Sequence, residues 1–268
     1  MIDIVVTDLV FTYTSGVTAL NGVTLTVPAG QRLAIVGQNG AGKTTLVRHF
    51  NGIFTPTTGV VQIGDWQTKG RDIAELARRV GYVFQNPDEQ LFARKIRDEI
   101  AFGPKNLGVA KAEIDERVAH SLHRAGLDGM EDTHPYHLSL SERKRVALAS
   151  VLAMETPIVV LDEPTTGQDA RGVALIGDIV GELQAEGRTV VAITHDMDFC
   201  AENFDRVLVM ADGKVIADGD PHQTFTQLDA LADAHVEPPQ LERLRAELGW
   251  HDPVSSVDDF IAELKQHR

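Results

Sequence analysis

The chain has 268 residues, 43% hydrophobic and 24% charged, which is enough for one principal domain with a substantial core and a small appendage. No apolar run approaches the ~20 residues that span a bilayer, and Met1 to Leu9 lack the basic region of a secretory signal, so the chain is expected to stay in the cytoplasm. A formal charge of −14 disfavours nonspecific binding to a phosphate backbone, and the lone Cys200 excludes an intrachain disulfide and reads as a small, half-buried apolar residue.

Ile2 to Phe11 and Val23 to Val27 read as strands of a small antiparallel layer, and Leu33 to Val36 as a buried parallel strand. Gly37-Gln38-Asn39-Gly40-Ala41-Gly42-Lys43-Thr44-Thr45 follows that strand directly and opens a helix predicted over Thr44 to Gly52. This is the pattern of a phosphate-binding loop. Gly37, Gly40 and Gly42 let the backbone come close, so that successive N–H groups surround phosphates. Lys43 reaches the β/γ-phosphates and Thr44 offers its hydroxyl to Mg²⁺.

The strand Val80 to Phe84 ends at Gln85, and Lys111 to Ala125 carries Ile114, Val118, Leu122 and Ala125 on one helical face before stopping at Gly126. A buried strand, Ile158 to Leu161, leads into Asp162 and Glu163. Carboxylates at such a strand end belong beside the metal (Asp162) and against the attacking water (Glu163). Thr189 to Thr194 is a further buried strand, followed by His195, and Asp212-Gly213 reads as the turn between Arg206–Met210 and Lys214–Ala217. Alternating strands and helices imply an α/β fold with a parallel sheet, an antiparallel layer and a helical insertion near residues 88–156.

After Asp220-Pro221 the pattern changes. Pro238-Pro239 precede a helix with Leu241, Leu244 and Leu248 in register, and Ser255 or Ser256 is placed to cap a last helix carrying Phe260, Ile261 and Leu264. His134 and His137 have no further ligand cluster nearby and read as solvated loop residues. Arg143-Lys144-Arg145 reads as helix surface, with one arginine near the nucleotide.

Taken in order, these motifs resemble the ATP-binding subunits of ABC transporters over about residues 3–219, a P-loop NTPase with a RecA-like sheet. Tyr13 matches the aromatic residue that stacks on adenine, Gly37 to Thr45 the Walker A loop and Gln85 the Q-loop, which contacts Mg²⁺ and the attacking water. Leu138 to Glu142 match the signature, Asp162 and Glu163 Walker B, Asp169 the D-loop, and His195 the switch that donates to the γ-phosphate. Phe84-Gln85-Asn86-Pro87-Asp88-Glu89-Gln90-Leu91-Phe92, then Ala101-Phe102-Gly103-Pro104 and Asn106-Leu107-Gly108, resemble the energy-coupling factor branch, which imports vitamins and transition-metal ions.

That resemblance implies ATP and Mg²⁺ as ligands and a second ABC ATPase subunit as partner, with a membrane scaffold subunit and a substrate-binding membrane subunit. It implies a place on the cytoplasmic face of the cell membrane, no nucleic acid, an ATPase domain over 1–219 and a dimerising segment over 220–268. The competing expectation, a soluble ABC ATPase acting in DNA repair or translation, calls for insertions or a second cassette, and neither is visible in the chain.

One motif departs from the family pattern. The signature reads Leu138-Ser139-Leu140-Ser141-Glu142 where the family has LSGGQ. Ser139 is retained, and with Ser141 it is expected to reach the γ-phosphate bound by a facing subunit. Leu140 adds a branched side chain in a narrow gap and Glu142 adds negative charge, although Ser139-x-x-Glu142 is also a capping box. A composite site receiving this signature is expected to hydrolyse ATP weakly, whereas this chain's own phosphate loop, completed by a partner's signature, is expected to work normally. That arrangement suits a heterodimer.

Overall fold

A computed structural model describes residues 2–250 and 257–266, and Ser255 and Ser256 lie outside them. The strands are β1 (Ile4–Thr12), β2 (Thr18–Val27), β3 (Arg32–Val36), β4 (Thr58–Ile63), β5 (Trp66–Gln67), β6 (Val80–Val83), β7 (Ile158–Asp162), β8 (Thr189–Ile193), β9 (Arg206–Ala211) and β10 (Lys214–Gly219). The helices are α1 (Lys43–Val47), α2 (Ile73–Leu76), α3 (Ile96–Leu107), α4 (Lys111–Arg124), α5 (Leu140–Leu152), α6 (Ala170–Ala185) and α7 (Met197–Asn203), followed by α8 (Pro221–Phe225), α9 (Leu228–Asp233), α10 (Gln240–Glu247) and α11 (Val257–Gln266).

The central sheet has the order β10-β9-β3-β8-β7-β6, parallel except at the β10 edge. Its strands are apolar on both sides because both sides are covered. In β3, Leu33 and Ile35 point into a core shared with the antiparallel layer β2-β1-β4-β5. Ala34 and Val36 point into the core built by α5 and α6. Ile158 and Val160 of β7 divide from Val159 and Leu161 in the same way, with the period of two that a strand imposes. Helices α3, α4 and α5 form the insertion between β6 and β7, so the expected helical subdomain is present.

Two expectations need correction. The helix after the phosphate loop ends at Val47; beyond it the chain tightens into turns, His49 N–H to Leu46 O and Phe50 N–H to Val47 O, and reverses at Gly52 with φ 77°. Burial of His49 and Phe50 under the antiparallel layer dictates that tightening. Cys200 is fully buried, not half-buried. In α10, Leu241 is half-buried, Leu244 and the capping Leu248 are exposed, and Glu242 is buried, engaged by His222 and Arg245.

Candidate functional site

Polar and charged side chains converge where β3, β7 and β8 end on the same edge of the sheet. A cavity of roughly 340 Å³ there is lined by Asn39, Gly40, Gly42, Lys43, Thr44 and Thr45 of the loop. Gln85 after β6, Asp162 and Glu163 at the end of β7, His195 after β8, and Tyr13 complete it. Gly37 and Ala41 belong to the loop but do not line the cavity.

The loop's shape depends on residues far from it. Gly42, with φ 100°, starts α1, and a Cβ there would lie 2.6 Å from the Ala19 carbonyl oxygen, so an L side chain meets both strain and collision. The Asp212-Gly213 turn, with both φ positive, tucks behind the loop: Gly213 N–H donates to Ala41 O and Asn21 N–H to Gly213 O. From the C-terminal segment, the carbonyl of Ala234 at the end of α9 accepts Gln38 N–H at 2.9 Å, and Asp198 of α7 accepts Gln240 N–H at the start of α10 at 2.9 Å. The appendage therefore touches both the phosphate loop and the helix that follows His195.

Lys43 Nζ donates to the carbonyls of Gly37 (2.5 Å) and Gln38 (2.9 Å), curling back over its own loop. Burial lowers its proton affinity, with Glu163 and Asp162 opposing that shift. Thr44 Oγ1 donates to Asp162 Oδ1 at 3.5 Å, and Tyr82 from β6 donates to Asp162 Oδ2 at 2.7 Å. Burial pushes the Asp162 carboxyl above the usual carboxylate range, and the Glu163 carboxyl likewise.

Glu163 sits at φ 54°, its N–H donating to Ile193 O (2.8 Å) and its carbonyl accepting Lys144 Nζ (2.9 Å), which fixes the backbone from both sides. Its Oε1 lies 3.1 Å from His195 Nε2. His195 is held below its ordinary pKa, first by desolvation and then by Lys43, and so favours the neutral form. Tyr13 packs edge-on against Phe11 and shares a 2.8 Å hydrogen bond with Thr45 Oγ1.

The signature residues are not in this cavity. Ser139 caps α5: Glu142 Oε2 accepts both the Ser139 N–H (2.8 Å) and its hydroxyl (2.7 Å), and Glu142 N–H donates to Ser139 Oγ (3.3 Å). Those bonds hold the Glu142 carboxyl below the ordinary glutamate value. Ser141 Oγ donates to Gln168 Oε1 (2.7 Å) and Gln168 Nε2 to the Ser141 carbonyl (3.2 Å), while Leu140 lies half-exposed over Gly167. Asp169 also stands outside the cavity, capping α6 through Gly172 N–H (2.8 Å).

The basic run is not helix surface throughout. Lys144 is buried, Arg143 pairs with Asp88 at 2.7 Å, and Arg145 donates to the Ala125 and Gly126 carbonyls. Neither arginine lines the cavity. His134 accepts Tyr136 N–H within its own turn, and among the described residues no cluster of three or more His, Cys, Asp or Glu is placed to hold a metal. Sequence reading missed Tyr82 and Gln168, because each acts on a residue in another motif; the polar side chain of Tyr82 within an otherwise apolar strand was the available signal.

A glycine-built phosphate loop, two acids at a neighbouring strand end and a histidine beside the second acid, on a parallel sheet, define a P-loop ATPase of the ATP-binding cassette class. Residues 20–166 match the ABC transporter family. The chain is 40% identical over 263 residues to the energy-coupling factor transporter ATP-binding protein EcfA of Methanocaldococcus jannaschii, covering 97% of this chain and 94% of that one. The solved structure of CbiO1 from Clostridium perfringens, described as part of the ABC transporter complex CbiONQ, superposes with a TM-score of 0.77 at 35% identity, over 92% of this chain and 98% of that one. A dimeric ATP-binding cassette in a post-hydrolysis state with ADP and Pi aligns with a TM-score of 0.74 at 26% identity, over 81% of this chain and 98% of that one. The chain belongs to the ABC transporter ATP-binding proteins, within their energy-coupling factor type. It binds ATP and hydrolyses it.

Proposed function

We propose that this chain is the motor of an importer of a micronutrient, a vitamin or transition-metal ion, working on the cytoplasmic face of the membrane beside a scaffold subunit and a substrate-binding subunit. The observation that carries the reading is the convergence of Lys43, Thr44, Gln85, Asp162, Glu163 and His195 on one cavity. The loop N–H groups and Lys43 take the phosphates, Tyr13 the adenine, and Glu163 accepts a proton from the attacking water while His195 donates to the γ-phosphate.

Mg²⁺ fits the residues present. A hydroxyl (Thr44) and a carboxylate (Asp162) with their oxygens 3.5 Å apart, and an amide (Gln85) on the same wall, form a hard oxygen set that leaves room for phosphate and water. When bound, Mg²⁺ neutralises charge on the transferred phosphoryl group.

Two surfaces support the partners. Phe92 and Phe102, both exposed, meet edge-to-face at 4.7 Å and, with Ile73 and Phe84, border a cavity of roughly 250 Å³ between the helical insertion and the core. An apolar groove of that kind takes a helix of the membrane scaffold. Leu244, Leu248, Ile261 and Leu264 on α10 and α11 are exposed, and they support dimerisation through residues 220–268 beside the ATPase domain over 1–219. Ser139, Ser141 and Asp169 act across the dimer, toward nucleotide held by a facing ATPase subunit. We assign that subunit to a paralogue, because Leu140 and Glu142 would weaken both sites of a symmetric pair.

Replacing Glu163 with Gln in the assembled complex tests the assignment. Turnover falls at least ~100-fold while ATP affinity stays within a few-fold, and Mg²⁺-ATP traps a closed dimer on a sizing column. Retention of most of the turnover would remove Glu163 from the role of base.

A further inference from the structure

The carboxylate of Asp162 has two oxygens with different surroundings. Oδ1 faces Thr44 Oγ1 at 3.5 Å on the cavity wall, and Oδ2 accepts the Tyr82 hydroxyl at 2.7 Å behind that wall. Asp162 and Tyr82 are both buried, at 2% and 7% exposure, so water does not compete for the contact. The pairing is set by the sheet: β6 lies parallel beside β7 with Tyr82 opposite Val160, and the Tyr82 ring is held against Phe84 at 4.8 Å. A phenol anchored at its ring and donating at its tip fixes the carboxylate about its last torsion, which is otherwise broad.

We propose that Tyr82 is a positioning residue for the metal side of the ATP site: by holding Asp162 Oδ2 it keeps Oδ1 beside the Thr44 hydroxyl on the cavity wall, where the two oxygens would hold Mg²⁺. Mg²⁺ demands near-ideal geometry, and removing a partner that orients a ligating carboxylate typically costs about 10–100-fold in metal affinity. The inference rests on reading Asp162 as the carboxylate on the Mg²⁺ side. Tyr82 itself does not line the cavity and acts through Asp162.

Tyr82→Phe keeps the ring and deletes the donor. ATP binding to the purified complex is titrated calorimetrically in EDTA and then over a Mg²⁺ series, for wild type and variant. The expected result is metal-free ATP affinity within twofold of wild type and a Mg²⁺ concentration for half-maximal effect raised about tenfold. An unchanged Mg²⁺ requirement, or an equal loss of affinity in EDTA, overturns the proposal and leaves Tyr82 as a core residue. Should the variant be less stable, the extra rise in melting temperature that Mg²⁺-ATP gives over ATP alone, taken from each protein's own baseline, reports the same quantity; an equal increment in both proteins overturns it too. A wild type indifferent to Mg²⁺ would sink the metal assignment of Asp162 itself, and that arm is read before the variant.

Discussion

The phosphate loop and the Leu138–Glu142 segment both open helices, yet they are built in opposite ways. At the loop, glycines hold backbone conformations that side chains forbid, and the surrounding contacts come from Ala19, Gly213 and Ala234, each far off in sequence. At the signature the side chains do the holding: Ser139 and Glu142 close a capping box and Ser141 locks to Gln168. The first design leaves a cavity beside the loop backbone, and the second ties its side chains to one another and to Gln168.

Adding one methyl group to the loop tests this most severely. Gly42→Ala puts a Cβ at φ 100° and 2.6 Å from a carbonyl oxygen, and ATP affinity measured by titration is expected to fall by more than about 100-fold; a near-wild-type value would show that the loop relaxes freely. The reverse change at the signature has a smaller effect. Leu140→Gly with Ser141→Gly is expected to raise turnover of the assembled complex a few-fold, and no gain, or a loss, would count against an impaired composite site.

The smallest effect separates two glutamates. Glu163 is raised by burial, so the folded state binds its proton more tightly than the unfolded one, and stability falls as pH climbs from the ordinary glutamate value through the raised one. Glu142 is depressed by its cap, so its contribution is present above the ordinary value and vanishes as pH falls through the depressed one. At neutral pH Glu163→Gln is therefore expected to raise the melting temperature and Glu142→Ala to lower it, each by about 2–4 °C. Melting curves at pH 7 and pH 4 check the signs, and a like-signed pair of shifts would erase the contrast.

The sequence by itself determined what acts locally: the spacing of Gly37, Gly40, Gly42 and Lys43, the acids closing an apolar strand, the Ser139-x-x-Glu142 cap and the Asp212-Gly213 turn all operate within a few residues. Only the tertiary structure decided what those groups lean on. Strand order places Tyr82 80 residues before the carboxylate it holds, burial turns Lys144 inward to Glu163, and α9 delivers the Ala234 carbonyl to Gln38. Periodicity also put Leu244 and Leu248 on a face that the fold leaves exposed. Short-range geometry is written in covalent connectivity and side-chain sterics, whereas these pairings exist only once the β10-β9-β3-β8-β7-β6 sheet has brought distant strand ends to one edge.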